Sequence, residues 1–217
     1  MNHLRVIVTR PLAQALPWVD ALREAGFDAH ALPLIDIVTM ADPAAVHLAW
    51  EHLMGCAMVM FVSANAVQHF FAQQPQEYGW PLSAFAGSTG PGTTAALQQA
   101  GVPAACILEP LPGAPFDSES LWARLKARNW HGQRVIIVRG EDGRDWLGEQ
   151  LREAGAEVEP VAAYRRLAPE PGQAGMALMA AAQADPAGHC WFFTSSEAVG
   201  HLRELAPQAD WSHSRAL

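Results

Sequence analysis

Hydroxyl-bearing and arginine side chains recur in this chain immediately after short apolar or β-branched runs. Thr9 and Arg10 follow RVIV, Ser63 and Asn65 follow MVMFV, and Thr93 and Thr94 close the loop GSTGPGTT that begins at Gly87. Arg139 opens a stretch reaching Arg144 after RVIIV, and Thr194, Ser195 and Ser196 follow WFF. If the runs are parallel strands, their carboxyl ends bring these side chains to helix N-termini, where outward-pointing N–H groups favour an anion. The chemistry on offer is recognition of carboxylate or phosphate. Helix capping alone would also place Ser63, Ser195, Thr93 and Thr94 where they stand. GSTGPGTT has neither the GxGxxG spacing of a dinucleotide fold nor the GK[ST] of a P-loop.

Tyr164, flanked by Arg165 and Arg166, offers a different function. A phenol donates a proton or hydrogen bond to a leaving group while its ring packs, although a tyrosine anchoring a strand would look the same. Metal chemistry has little support: the nine histidines are scattered, and His47 and His52 are five apart, off the spacing that puts two ligands on one helix face. Neither HExxH nor GxSxG occurs.

The elements that must position these groups are repeated. LREAG stands at Leu22–Gly26 and again at Leu151–Gly155, and at the same offset of 129 RVIVTR matches RVIIVR. Each copy reads as strand, helix, glycine stop and second strand, with Gly26 and Gly155 at the left-handed position after the helix. Tyr164 falls opposite Ile35 in this alignment. A second repeat, at an offset of 132, pairs MFVSANAVQHF with FFTSSEAVGHL. Ser63 and Ser195 then stand at equivalent strand-to-helix junctions, each followed by a histidine in AVQH or AVGH. The order A, B, A′, B′ suits tandem domains or a nested pair with B and A′ inserted between A and B′. The first B continues through AFAGSTGPGTTAALQQAGV; its counterpart would start at residue 216, so by the repeat roughly one strand and one helix of the second B unit are missing, unless that unit evolved shorter.

At 217 residues, half of them apolar, the chain can bury a core without disulfide staples. Cys56, Cys106 and Cys190 lie far apart in apolar surroundings, as expected of buried thiols in a reducing cytoplasm. No apolar stretch reaches the roughly 18 residues a membrane span needs. Fourteen basic against 22 acidic side chains, a formal charge of −8, disfavour a nucleic-acid or anionic-membrane surface. An anionic ligand would need a locally basic cleft.

In order and spacing, IVTRP, FVSANAV, GPGTTAAL, SESL, VIIVRGEDGRDWLGEQLREAGAEVEPVAAYRR and FFTSSEAV resemble the landmarks of the uroporphyrinogen-III synthase family, from Thr9 to about His213. The resemblance implies an α/β fold: two doubly wound parallel-sheet domains, nested, with a discontinuous first domain, joined by a two-stranded linker. The domains would be 1–35 plus 170–217 and 40–162, with linker strands about 32–39 and 161–169. It also implies a cofactor-independent enzyme needing no metal, which cyclises hydroxymethylbilane with inversion of ring D and loss of water; a cytoplasmic monomer is the accompanying expectation. Contact with the preceding pathway enzyme would be transient. The family's tyrosine matches Tyr164, which would assist hydroxyl departure. Its strand-end hydroxyls match Ser63, Thr93 and Ser195, which with Thr9, Arg10, Asn65, Arg139 and Ser196 would bind substrate carboxylates. A non-catalytic two-lobed anion binder and a protein-interaction domain are the competing readings.

Overall fold

The computed structural model describes residues 4–143 and 145–217; Arg144, at the end of one candidate stretch, lies outside them. In chain order the elements begin with β1 (Arg5–Val8), α1 (Leu12–Glu24), β2 (Asp28–Ala31), β3 (Asp36–Thr39) and α2 (Ala44–His52). Next come β4 (Met58–Phe61), α3 (Ala64–Phe71), β5 (Phe85–Ser88), α4 (Pro91–Gln99), β6 (Ile107–Leu108) and α5 (Ser118–Leu125). The chain continues through β7 (Arg134–Gly140), α6 (Trp146–Glu153), β8 (Glu157–Leu167), α7 (Gln173–Ala184), β9 (His189–Phe192), α8 (Ser196–Leu205) and β10 (Arg215–Ala216).

The LREAG repeat ends both helices in the same way. Gly26 and Gly155 each take φ +89°, a conformation that costs glycine nothing and an L side chain a steric clash. Gly26 N donates to Arg23 O and Phe27 N to Leu22 O; Gly155 N donates to Arg152 O and Ala156 N to Leu151 O. This paired pattern satisfies carbonyls left over at the end of a helix.

Strand pairing chooses between the two arrangements the repeat allowed. One sheet has the order β10-β9-β1-β2, with Val6 in parallel register with Cys190 and with Ala29. The other has the order β3-β8-β7-β4-β5-β6, with Met58 paired to Val135 and to Phe85. Tandem domains would have put β1 and β2 beside β4 and β5. Instead B′ joins A and B joins A′, and the chain divides into a unit running up to Ile37 plus Arg166–Leu217, and a unit of Val38–Arg165.

Both units bury the two faces of their sheet, as period-two apolar runs require. In the first unit Val6 and Val8 face Ala15 and Val19 of α1, while Ile7 and Trp191 pack with Met179, Ala198 and Leu202. In the second, Met58, Met60, Val135 and Ile137 meet Leu121 and Leu125 of α5 and Leu147 and Leu151 of α6. Its other face carries an aromatic cluster in which Trp50 stacks on Phe70 at 4.5 Å and Phe61 meets Phe70 edge-on at 5.5 Å. In the second unit α4 covers α3. In the first, β10 borders an apolar groove of about 800 Å³ lined by Trp191, Phe193, Leu202 and Trp211. All three cysteines are buried and free, and burial pushes the Cys56 thiol up to about 11. Among the described residues no helix is long and apolar enough to cross a membrane.

Candidate active site

Tyr164 is placed by a bulge. β7 and β8 run in register from Arg134 opposite Glu157 to Arg139 opposite Ala162, and then Gly140 pairs with Tyr164. The extra residue on β8, Ala163, breaks the alternation and re-aims the side chain that follows. The phenol ring then lies directly on Gly140, where a Cβ would come within 3.0 Å of Cε2 and 3.1 Å of Cζ. Glu141 N donates to Tyr164 O at 2.8 Å and fixes the backbone of the bulge. Tyr164 is fully buried. Its hydroxyl lies 3.2 Å from Ser63 Oγ, which already accepts Ala66 N at 3.1 Å as the N-cap of α3. Capping and contact with the phenol thus share one serine oxygen. The His69 ring stacks on the Tyr164 ring at 5.6 Å, and His69 Nδ1 is 3.1 Å from Thr39 Oγ1. Burial holds the His69 imidazole below its usual pKa, so it is neutral near pH 7.

The close approach at Gly140 yields a direct expectation. In Gly140→Ala the new methyl must displace the Tyr164 ring, because the neighbouring backbone is held in the sheet. Overpacking of this kind costs about 1–3 kcal/mol, and if the phenol is the reacting group its displacement lowers kcat by about tenfold or more. Steady-state kinetics beside a thermal melt check both; a fully active, equally stable variant would show that the ring's seat is not needed.

The GSTGPGTT loop is organised from below by Ser88, which is fully buried. Its Oγ donates to Gly90 O at 2.9 Å and receives Gly90 N at 3.3 Å. Thr94 Oγ1 lies 3.0 Å from Ser88 Oγ and 2.8 Å from Glu109 Oε2. Neither Thr93 nor Thr94 caps α4: the N-cap is Gly90, with Pro91 opening the helix. Capping as the explanation of these threonines is therefore overturned, since proline supplies the helix-ready φ and the threonines fall within the first turn. Thr93 is only 6% exposed.

In the first unit Ser195 caps α8, accepting Glu197 N at 3.2 Å, and Ser196 is exposed at the helix start. Arg166 pairs with Glu197 at 3.3 Å. Thr9 is 1% exposed and donates to Phe192 O at 2.9 Å, so its hydroxyl latches β1 to β9. Arg10 reaches Gln14 Oε1 at 2.9 Å, while its Nε is buried with no hydrogen-bond partner. Arg139, expected to face a ligand, instead turns back on its own loop, donating to Gly140 O and Gly143 O with Asp145 at 3.8 Å. Carbonyls freed at the end of β7 claim the guanidinium first. Asn65 lies half-buried in the first turn of α3. The second unit thus brings together Tyr164 and Ser63, with Asn65 on the same helix start. Sequence reasoning did not single out His69, Ser88 or Glu109; the histidine repeated in AVQH and AVGH was the available signal.

Among the described residues no His, Cys, Asp or Glu side chains cluster in a way that could hold a metal ion. Parallel sheets with helices packed on their faces define a protein of the doubly wound α/β class. Residues 17–217 match the family model described as Uroporphyrinogen-III synthase HemD. The chain is 29% identical over 165 residues to the uroporphyrinogen-III synthase of Proteus mirabilis, covering 76% of this chain and 81% of that protein. Against the Salmonella typhimurium enzyme of the same name it is 33% identical over 172 residues, covering 76% and 66%. A mutant uroporphyrinogen III synthase from Thermus thermophilus shares the fold with a TM-score of 0.62 at 19% identity, over 93% of this chain and 76% of that one. The chain belongs to the uroporphyrinogen-III synthase family, cyclising lyases of haem biosynthesis whose substrate is hydroxymethylbilane.

Proposed function

We propose that Tyr164 is the residue that assists departure of the ring A hydroxyl when this chain closes hydroxymethylbilane to uroporphyrinogen III. The observation that carries the reading is the phenol seated on Gly140 with its oxygen 3.2 Å from Ser63 Oγ. The phenol gives its proton to the leaving oxygen as the C–O bond breaks, releasing water and leaving an azafulvene. The pyrrole nitrogen supplies the electron pair and gives up its N–H proton, which restores the phenolate to phenol, so the net loss from the substrate is one water. Ser63 Oγ, held by Ala66 N, orients the phenol and can donate back to the phenolate. The substituted carbon of ring D then attacks to give the spiro intermediate, which fragments and recloses inverted. These later steps need the chain ends brought together more than they need acids or bases. Tyr164 is fully buried, so its hydroxyl must become accessible before it can meet substrate.

Substrate carboxylates are assigned to the helix starts at Ser63, Asn65, Ser195 and Ser196, where backbone N–H groups and the helix dipole favour negative charge. Thr9, Thr93, Arg10 and Arg139 are assigned a supporting role, shaping those ends, because each is buried or engaged with its own unit. We also read residues 1–35 with 170–217 and 40–162 as the two domains and 32–39 and 161–169 as their linker; the division of the chain near Ile37 and Arg165 supports it. Buried free thiols fit a reducing cytoplasm. We take the protein to act there as a monomer, in transient contact with the preceding enzyme.

The test is chromatography of oxidised products after hydroxymethylbilane is generated in situ with the protein present. Isomer III in excess over spontaneous isomer I is expected, with affinity falling as salt is added. Isomer I alone, at any protein concentration, would overturn the reading that these 217 residues by themselves catalyse the reaction.

A further inference from the structure

His69 stands on α3 two turns after the Ser63 cap, with its ring offset-stacked on Tyr164 at 5.6 Å and 29°. Its Nδ1 is tied to Thr39 Oγ1 at 3.1 Å, so the ring cannot swing away without breaking a hydrogen bond. Among its contacts with the described residues, three hold the phenol: Gly140 beneath the ring, Ser63 at the oxygen and His69 stacked on the ring. Two of the three come from one helix. The repeat counterpart, His201, binds a backbone carbonyl, Leu34 O, at 2.6 Å, and the counterpart of Tyr164 is Ile35. Holding the chain beside β3 is thus common to both histidines, whereas stacking on a phenol is particular to His69. Its neutral imidazole presents an aromatic face and adds no charge beside the phenol.

We propose that His69 is a positioning residue, holding the Tyr164 ring in the orientation from which its hydroxyl reaches the departing oxygen. The inference rests on the reading of Tyr164 as proton donor. An aromatic partner contributes orientation without touching substrate, so its removal is read in kcat.

The test uses the intact chain carrying His69→Ala, His69→Phe, Tyr164→Phe, or His69→Ala with Tyr164→Phe, assayed for isomer III formation. His69→Ala is expected to lower kcat about five- to tenfold with KM changed less than about twofold, the loss a misoriented group brings. His69→Phe, which keeps the stack and loses only the Nδ1 tether, should recover most of that kcat. In the Tyr164→Phe background, His69→Ala should cost nothing further, because no hydroxyl remains to be oriented. Unchanged kcat in Tyr164→Phe would overturn the proton-donor reading and this inference with it. A Tyr164→Phe loss with a His69→Ala effect that multiplies onto it, or appears in KM alone, would overturn this inference and leave the donor role standing. Should His69→Ala fail to fold, His69→Leu, which keeps the bulk and removes the aromatic face, takes its place: a several-fold kcat loss, recovered in His69→Phe and absent from the Tyr164→Phe background, supports the proposal, and wild-type kcat in His69→Leu overturns it.

Discussion

Tyr164→Phe should lower kcat for isomer III formation about 10²-fold and leave KM within about threefold of the wild type. The substitution removes one oxygen and keeps the ring, so the packing on Gly140 and His69 survives. On the role proposed for Tyr164, what is lost is the proton given to a poor leaving group, an interaction made in the transition state and absent from the ground state. General acids of this kind typically contribute about 10²- to 10⁴-fold, and the lower figure applies because this hydroxyl can also leave without an enzyme. Stability should change little: the phenol–Ser63 hydrogen bond contributes about 1 kcal/mol, and Ser63 Oγ keeps its bond to Ala66 N. Single-turnover kinetics with product chromatography read the result. A Phe variant turning over at the wild-type rate would reduce Tyr164 to an anchor of β8.

Trp50→Ala should destabilise the fold by about 3–5 kcal/mol. Trp50 is fully buried on α2, stacked on Phe70 at 4.5 Å and edge-on to Phe71 at 5.3 Å, and its Nε1 donates to Phe70 O at 3.1 Å. Truncation empties a space between α2 and α3 that these rigid neighbours cannot close. Domains of this size are stable by only about 5–15 kcal/mol, so the loss is a large share of the total. Because α3 carries both the Ser63 cap and His69, activity should fail at lower temperature than in the wild type. Trp50→Phe refills most of the volume and should recover more than half of the loss. Urea titration of the three proteins decides the matter, and a loss under about 1 kcal/mol for Trp50→Ala would mean that the helices relax into the gap.

Both predictions draw on elements of unequal legibility. Gly26 and Gly155 were readable as helix stops because the left-handed backbone at that point admits glycine and little else. Ser63 and Ser195 were readable as caps for a similarly local reason, and the same oxygen of Ser63 proves to face the phenol. Tyr164 could be singled out as a phenol where the repeat has Ile35, but nothing in its neighbours signals the bulge that seats it on Gly140. Arg139 went astray for the opposite reason: its position after a strand was right, and its guanidinium was claimed by nearby carbonyls. Thr9 is buried by a latch to Phe192, 183 residues away, which no local spacing records.

By itself, then, the sequence determined the strand and helix units, their stops and caps, the duplication, and through the order of its motifs the family. These depend on backbone conformations and side-chain periods within a few residues, where the chemistry of each position acts directly. Only the tertiary structure decided which repeats share a sheet, which side chains are spent on the scaffold, and that Gly140, Ser63 and His69 converge on Tyr164. Those outcomes depend on pairing and packing between distant segments, where equivalent strands compete for the same neighbour and the free energy of the whole sheet, including its one-residue bulge, selects among them.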